Sequence, residues 1–241
     1  MKTFSRRTFL QVAGGSAAAV GFGGVLSACA GGSNAGSGSA ASGEHASQVT
    51  VSMPVSSEPA AGFDPFVSWG CGEHVHEPLI QSTLLTTKAD MGFENDLATA
   101  YTCSDDGLTW TFTIRTDAKF TNGKPVTAHD VAYTINGVAS NEASECDLTM
   151  VDKAVAVDDE TCEVHLNKPF NALLYTLAVI GIVPDGGHDA DYGSNPVGSG
   201  RYMLEQWDRG QQVILKANPD YYGEAPNIQR VVVVAHGADG L

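Results

Sequence analysis

Residues Ser104 to Tyr133 read SDDGLTWTFTIRTDAKFTNGKPVTAHDVAY, and they decide the fold class. Asp105-Asp106-Gly107 is a tight-turn signal, because glycine accepts the positive φ that such turns require. Trp110, Phe112 and Ile114 alternate with Thr111, Thr113 and Arg115, the period of a strand with one buried face. Thr121-Asn122-Gly123-Lys124-Pro125 predicts a second turn, and Pro125 bars helix before it. Thr127 stands three residues before Asp130, so hydroxyl and carboxylate can cap a helix over Ala128–Val138. Hairpin, strand, turn and capped helix follow in order, and none of these residues forms a catalytic pattern.

The flanks extend the same alternation of short elements. Gln48–Met53, Leu97–Cys103, Ala154–Val157, Cys162–Leu166 and Arg230–Ala235 read as strands, and Tyr202–Trp207 with Gln211–Ala217 as a hairpin over Asp208-Arg209-Gly210. Pro78–Leu85 reads as a short helix with Leu79, Leu84 and Leu85 on its apolar side. Pro169–Ala178 reads as another, with its proline in the first turn. Ile180–Pro184 is an extended apolar run. Strands and helices mix without strict βαβ alternation, so the class is α/β in the mixed, α+β sense.

The chain of 241 residues carries a net charge of −15, which argues against nucleic acid as a partner. Removing Lys2, Arg6 and Arg7 with the first 28 residues leaves 10 basic against 28 acidic side chains, or −18. At 43% hydrophobic there is ample material for a core.

Ser5-Arg6-Arg7-Thr8-Phe9-Leu10 looks like a twin-arginine export signal. The apolar run Val12–Leu26 is short and rich in Gly and Ala, and Leu26-Ser27-Ala28-Cys29 resembles a lipobox. The reading is a signal peptide over 1–28 and a lipidated Cys29. The alternative is an uncleaved anchor helix ending in an incidental cysteine. Residues 29–47 then form a Gly/Ser/Ala tether, which places the folded body on the outer face of the cell membrane, the periplasmic side where an outer membrane exists.

Several stretches recur in a family's order. Asp106-Gly107-Leu108-Thr109-Trp110-Thr111-Phe112, Phe120 through Val131, Val155–Val164, Asn195-Pro196-Val197-Gly198-Ser199-Gly200 and Asn218-Pro219-Asp220-Tyr221-Tyr222-Gly223 together resemble family 5 extracytoplasmic solute-binding proteins. These are the oligopeptide-, dipeptide- and nickel-binding components of ABC importers, and the resemblance covers roughly Val49 to Val234. It implies a type II periplasmic-binding-protein fold. A discontinuous domain I would take 48–65 plus 182–241, and domain II 66–181. Domain III, the second lobe, normally follows near Val234, and this sequence stops at Leu241 before it. A truncated gene product and a piece of a longer protein both fit, and the reading frame downstream of Leu241 separates them. Without that lid, weak ligand affinity is expected.

The resemblance implies a captor rather than an enzyme, with a peptide or metal-chelate ligand and ABC permease subunits as partners. Its cleft wall would include Trp69, Cys71, His74, Ile182 and Arg201. Arg201 stands where the family usually has proline, and either a local acidic partner or a ligand carboxylate explains it. Trp69–Glu77, WGCGEHVHE, packs five potential metal ligands into nine residues. Cys71, His74 and His76 suit nickel, zinc or copper, bound as transported ligand, with no resident cofactor. The spacing matches no metal motif, and a polar loop over the core is the competing reading. Cys71, Cys103, Cys146 and Cys162 remain beside Cys29. The family layout implies Cys71 with Cys146 and Cys103 with Cys162, against free buried thiols. Two further functions remain: a non-binding relic or surface lipoprotein acting through protein association, and a metal-dependent hydrolase.

Overall fold

The computed structural model describes residues 47–67, 70–71, 74–75 and 78–237, with backbone alone at 70, 71, 74 and 75. Arg6, Arg7, Cys29, the tether up to residue 46, Trp69 and His76 lie outside the described residues.

The stretch from Ser104 folds as its sequence dictates. Gly107 takes φ +72°, and its N–H donates to Ser104 O at 2.9 Å. Asp106 Oδ1 accepts the Ser104 hydroxyl at 2.6 Å and the Leu108 N–H at 3.0 Å. The turn joins β6 (Ala98–Cys103) to β7 (Thr109–Ile114), and β9 (Thr161–Leu166) and β8 (Val151–Ala156) complete an antiparallel sheet of order β6-β7-β9-β8. Phe112 and Ile114 are buried on its inner face. Helix α1 (Ala128–Ser140) lies against β8 and β9 and buries Val131, Ile135 and Val138, one apolar stripe at helical spacing. Asp130 Oδ2 accepts the Thr127 N–H at 2.7 Å and its hydroxyl at 2.8 Å, which fixes the start of α1.

The second sheet is discontinuous in sequence. Strand β1 (Gln48–Pro54) runs parallel to β12 (Arg230–His236), which pairs antiparallel with β11 (Gln212–Ala217), itself paired with β10 (Tyr202–Asp208). Two small hairpins pair β2 (Gly70–Cys71) with β3 (His74–Val75) and β4 (Leu85–Thr87) with β5 (Phe93–Asn95). The main core gathers Phe112, Ile135, Val164, Leu177, Ile182 and Tyr192; a smaller one joins Ile80, Tyr202 and Leu215 beside the second sheet. Among the described residues, no helix is long and apolar enough to cross a membrane.

Three expectations are corrected. Pro78–Leu85 is not helical: it runs extended into β4, because the carbonyls of Leu79 and Ile80 accept the N–H groups of Tyr202 at 3.0 Å and Gly200 at 2.8 Å. Pro169–Ala178 shortens to a single turn, α2 (Leu173–Leu177). Cys103 does not pair with Cys162. Strand β7 lies between β6 and β9, so the two backbones stand about 10 Å apart, beyond disulfide reach. Cys103, Cys146 and Cys162 are free thiols, and burial pushes the last two up to about 12.

Candidate functional site

An apolar groove of about 420 Å³ opens on one face of the β1–β12–β11 sheet. Side chains alternate along a strand, so Met53, Val213, Leu215 and Val233 share this face, and Phe63 and Leu79 wall it from the connecting segments. The groove sits toward the carboxyl ends of the parallel pair β1 and β12, where open α/β sheets take their ligands. Its size lies within the range of small-molecule sites.

Two close backbone approaches build the wall around Leu79 and Ile80. A Cβ on Gly198 would stand 2.0 Å from Ile80 O, and one on Gly200 2.5 Å from Leu79 O. Only glycine lets the Asn195–Gly200 loop lie flat against this segment, which is the physical content of the Gly198-Ser199-Gly200 pattern.

The loop after β1 is held at three points. Glu58 Oε1 accepts the indole N–H of Trp207 at 2.6 Å and the Gly210 N–H at 3.0 Å, and Oε2 also lies 3.0 Å from that N–H. Phe63 O accepts Gln81 Nε2 at 2.9 Å, and the same nitrogen lies 3.3 Å from the Tyr192 hydroxyl. Burial raises the Tyr192 phenol above its usual value, so it remains a neutral donor to Val197 O at 2.8 Å. Asp64 meets His188 Nε2 at 2.9 Å through both carboxylate oxygens, and the His188 ring stacks on Phe66 at 4.0 Å.

The sequence-derived residues divide around this groove. Cys71 and His74 face each other in the backbone register of β2 and β3. Trp69 and His76 lie outside the described residues. Ile182 is buried in the main core, its N–H donating to Ser82 O at 2.8 Å, while its neighbour Gly181 reaches the groove. Arg201 is exposed and engages Tyr221, Nε to hydroxyl at 3.3 Å. Burial raises the Asp96 pKa, and the Arg201 charge is the smallest of the influences that oppose that rise. Among the described residues, no three His, Cys, Asp or Glu side chains are grouped to hold a metal ion. The sequence does not mark Glu58, Phe63 or Val213 as groove residues, and it reads Leu79 only as part of the apolar side of a helix. The strand alternation places Val213 on a face, but nothing local brings the other three to it.

Residues 92–239 match the family model of the bacterial extracellular solute-binding proteins, family 5 Middle. The chain belongs to that family. It is 35% identical over 195 residues to the probable D,D-dipeptide-binding periplasmic protein DdpA of Escherichia coli (strain K12), covering 75% of this chain and 37% of that one. NikZ from Campylobacter jejuni, solved in complex with Ni(L-His), superposes with a TM-score of 0.70 at 22% identity, over 79% of this chain and 39% of that one. The oligopeptide-binding protein AppA from Bacillus subtilis, solved with a nonapeptide, gives 0.67 at 24% identity, over 78% and 40%. The fold is therefore the mixed α/β, type II periplasmic-binding-protein kind. The chain spans about two-fifths of the length of the relatives it matches.

Proposed function

We propose that this chain is the solute-binding part of an ABC importer, exported by a twin-arginine signal and held to the membrane by lipid on Cys29. Its cargo is a peptide or a nickel chelate, and its partners are the permease subunits. The observation that carries the reading is the groove at the carboxyl ends of β1 and β12, backed by family membership. The groove would form one wall of the ligand site, and Trp69, Cys71, His74, His76 and Arg201 are further contacts that the family resemblance suggests. Capture then shifts an equilibrium between open and closed lobes.

A single wall leaves much of a ligand in water, so the expected affinity is weak, with Kd of about 0.1–10 mM. Calorimetry of the full chain with mixed di- to tetrapeptides, and separately with Ni(II)–L-histidine, tests this. Weak saturable heat from one of them supports the reading. No heat from either contradicts solute capture, and a submicromolar titration contradicts the one-wall geometry. Metal content of Cys71→Ser and His74→Ala against wild type tests the metal branch, and identical content would remove it.

A second reading draws on exposed apolar side chains near the groove, Leu79 at 42% and Val55 at 43%. They suit a surface lipoprotein that acts through protein association. Sedimentation at increasing concentration tests it.

A further inference from the structure

We propose that the groove selects solutes by an uncharged apolar group, so that the ligand class is small peptides with an aliphatic or aromatic side chain rather than a metal ion. This rests on the reading of the groove as a ligand wall.

The lining decides the chemistry. Met53, Phe63, Leu79, Val179, Val213 and Val233 supply side chains that gain from excluding water and offer a guest no hydrogen bond. Most of the polar groups at the rim that could recognise a charge are engaged within the protein. Both oxygens of Glu58 accept from Trp207 or Gly210. The amide nitrogen of Gln81 is committed to Phe63 O and the Tyr192 hydroxyl. Gln212 Nε2 donates to Asp208 Oδ2 at 2.8 Å. A charged group entering the groove would exchange its hydration for a mainly apolar lining, in which the Ser57 hydroxyl and the Gln81 and Gln212 amide oxygens are the few side-chain polar atoms left to meet it. An anion would also meet the negative charge of Glu58. A cation would not, which makes a lysine peptide the decisive rival to an apolar one. A naked metal ion finds no three-ligand cluster among the described residues.

The test is a set of NMR titrations of the full chain at about 0.15 M salt, where long-range attraction to its acidic surface is screened. The probes are Gly-Phe-Gly, Gly-Gly-Gly, Gly-Lys-Gly, Gly-Asp-Gly and Ni(II)–L-histidine. The expected result is that Gly-Phe-Gly binds about tenfold more tightly than Gly-Gly-Gly, the factor one largely buried apolar side chain supplies. Gly-Lys-Gly and Gly-Asp-Gly should gain nothing over Gly-Gly-Gly. Leu79→Glu should abolish the phenylalanine preference, and Leu79→Met should keep it. The Leu79 side chain is 42% exposed, and its structural hydrogen bond is made by the main chain, so both variants keep the fold. Binding of Gly-Lys-Gly as tight as that of Gly-Phe-Gly overturns the inference, as does a preference that survives Leu79→Glu. If only Ni(II)–L-histidine binds, the inference falls and the importer reading stands. If no probe binds, both fall.

Discussion

The carboxylate of Glu58, in the loop after β1, accepts the indole N–H of Trp207 at the end of β10 at 2.6 Å. That bond joins two segments 149 residues apart and sets one rim of the groove. Around it, Phe63 meets the Trp207 ring edge-on at 5.1 Å, and the Arg209 guanidinium lies 3.9 Å over the ring. Removing the acceptor leaves the part-buried indole N–H without its protein partner, while the exposed Gly210 N–H turns to water. Glu58→Ala should therefore lower stability by about 1–3 kcal/mol, with Glu58→Gln intermediate. Urea unfolding checks this, and a loss below about 0.3 kcal/mol would mean that the loop is held by packing alone.

A second contact ties the two sheets and has a pH dependence with a definite sign. The Tyr222 hydroxyl, in the turn after β11, donates to Asp96 Oδ1, and the Arg115 guanidinium lies 3.9 Å over the Tyr222 ring. Burial raises the Asp96 pKa above its ordinary value, outweighing the lowering by Tyr222, Thr83, Arg115 and Arg201. A carboxyl whose folded pKa is raised binds more protons in the native state than when unfolded. Its contribution to stability therefore falls as pH rises through the window between ordinary and raised values. The stability difference between wild type and Asp96→Asn should shift against wild type as pH goes from about 4 to 7. Urea midpoints of both proteins across that range decide it. The opposite trend would mean that the hydrogen bonds outweigh burial.

On α1, Gly137 faces Phe66 so closely that an added Cβ would stand 2.2 Å from the ring. Alanine would gain up to about 1 kcal/mol of helix propensity. The ring has no room to yield, since His188 stacks on its face and Tyr133 packs beside it at 5.8 Å. Overpacking wins, and Gly137→Ala should destabilise by about 1–3 kcal/mol. Adding Phe66→Leu should recover part of that loss in a double-mutant cycle. Full additivity of the two substitutions would contradict the steric account.

Gly198→Ala is the more severe case, because the obstructing atom is the backbone oxygen Ile80 O, 2.0 Å away. A loss of more than about 3 kcal/mol is expected, with Leu79 displaced from the groove. Thermal unfolding measures the first effect, and a melting temperature within error of wild type would rule out the close approach.

These contacts also explain what the sequence could and could not reveal. The Asp106-Gly107 turn, the alternation of β7 and the Thr127–Asp130 cap are local, each set by residues within a few positions of one another. The β10–β11 hairpin over Asp208-Arg209-Gly210 is local in the same way. Pro78–Leu85 misleads because its leucines fit a helical stripe, while its carbonyls are claimed by Gly200 and Tyr202 more than a hundred residues away. The Cys103–Cys162 pairing fails because strand order inserts β7 between the two. The groove is the extreme case. Phe63, Leu79 and Val213 come together only through the order of the second sheet, and Glu58 sits in a serine- and proline-containing loop that announces nothing.

The central claim is that the solute sits against this groove, and its location can be measured directly. Hydrogen-exchange mass spectrometry of the full chain, with and without Gly-Phe-Gly at about 10 mM, reports which backbone segments the ligand protects. The account predicts slower exchange in residues 58–65 and 78–81 and along β11, with the β6-β7-β9-β8 sheet unchanged. Protection confined to the 218–223 turn or to the β6-β7-β9-β8 sheet, with none at the groove, would contradict it.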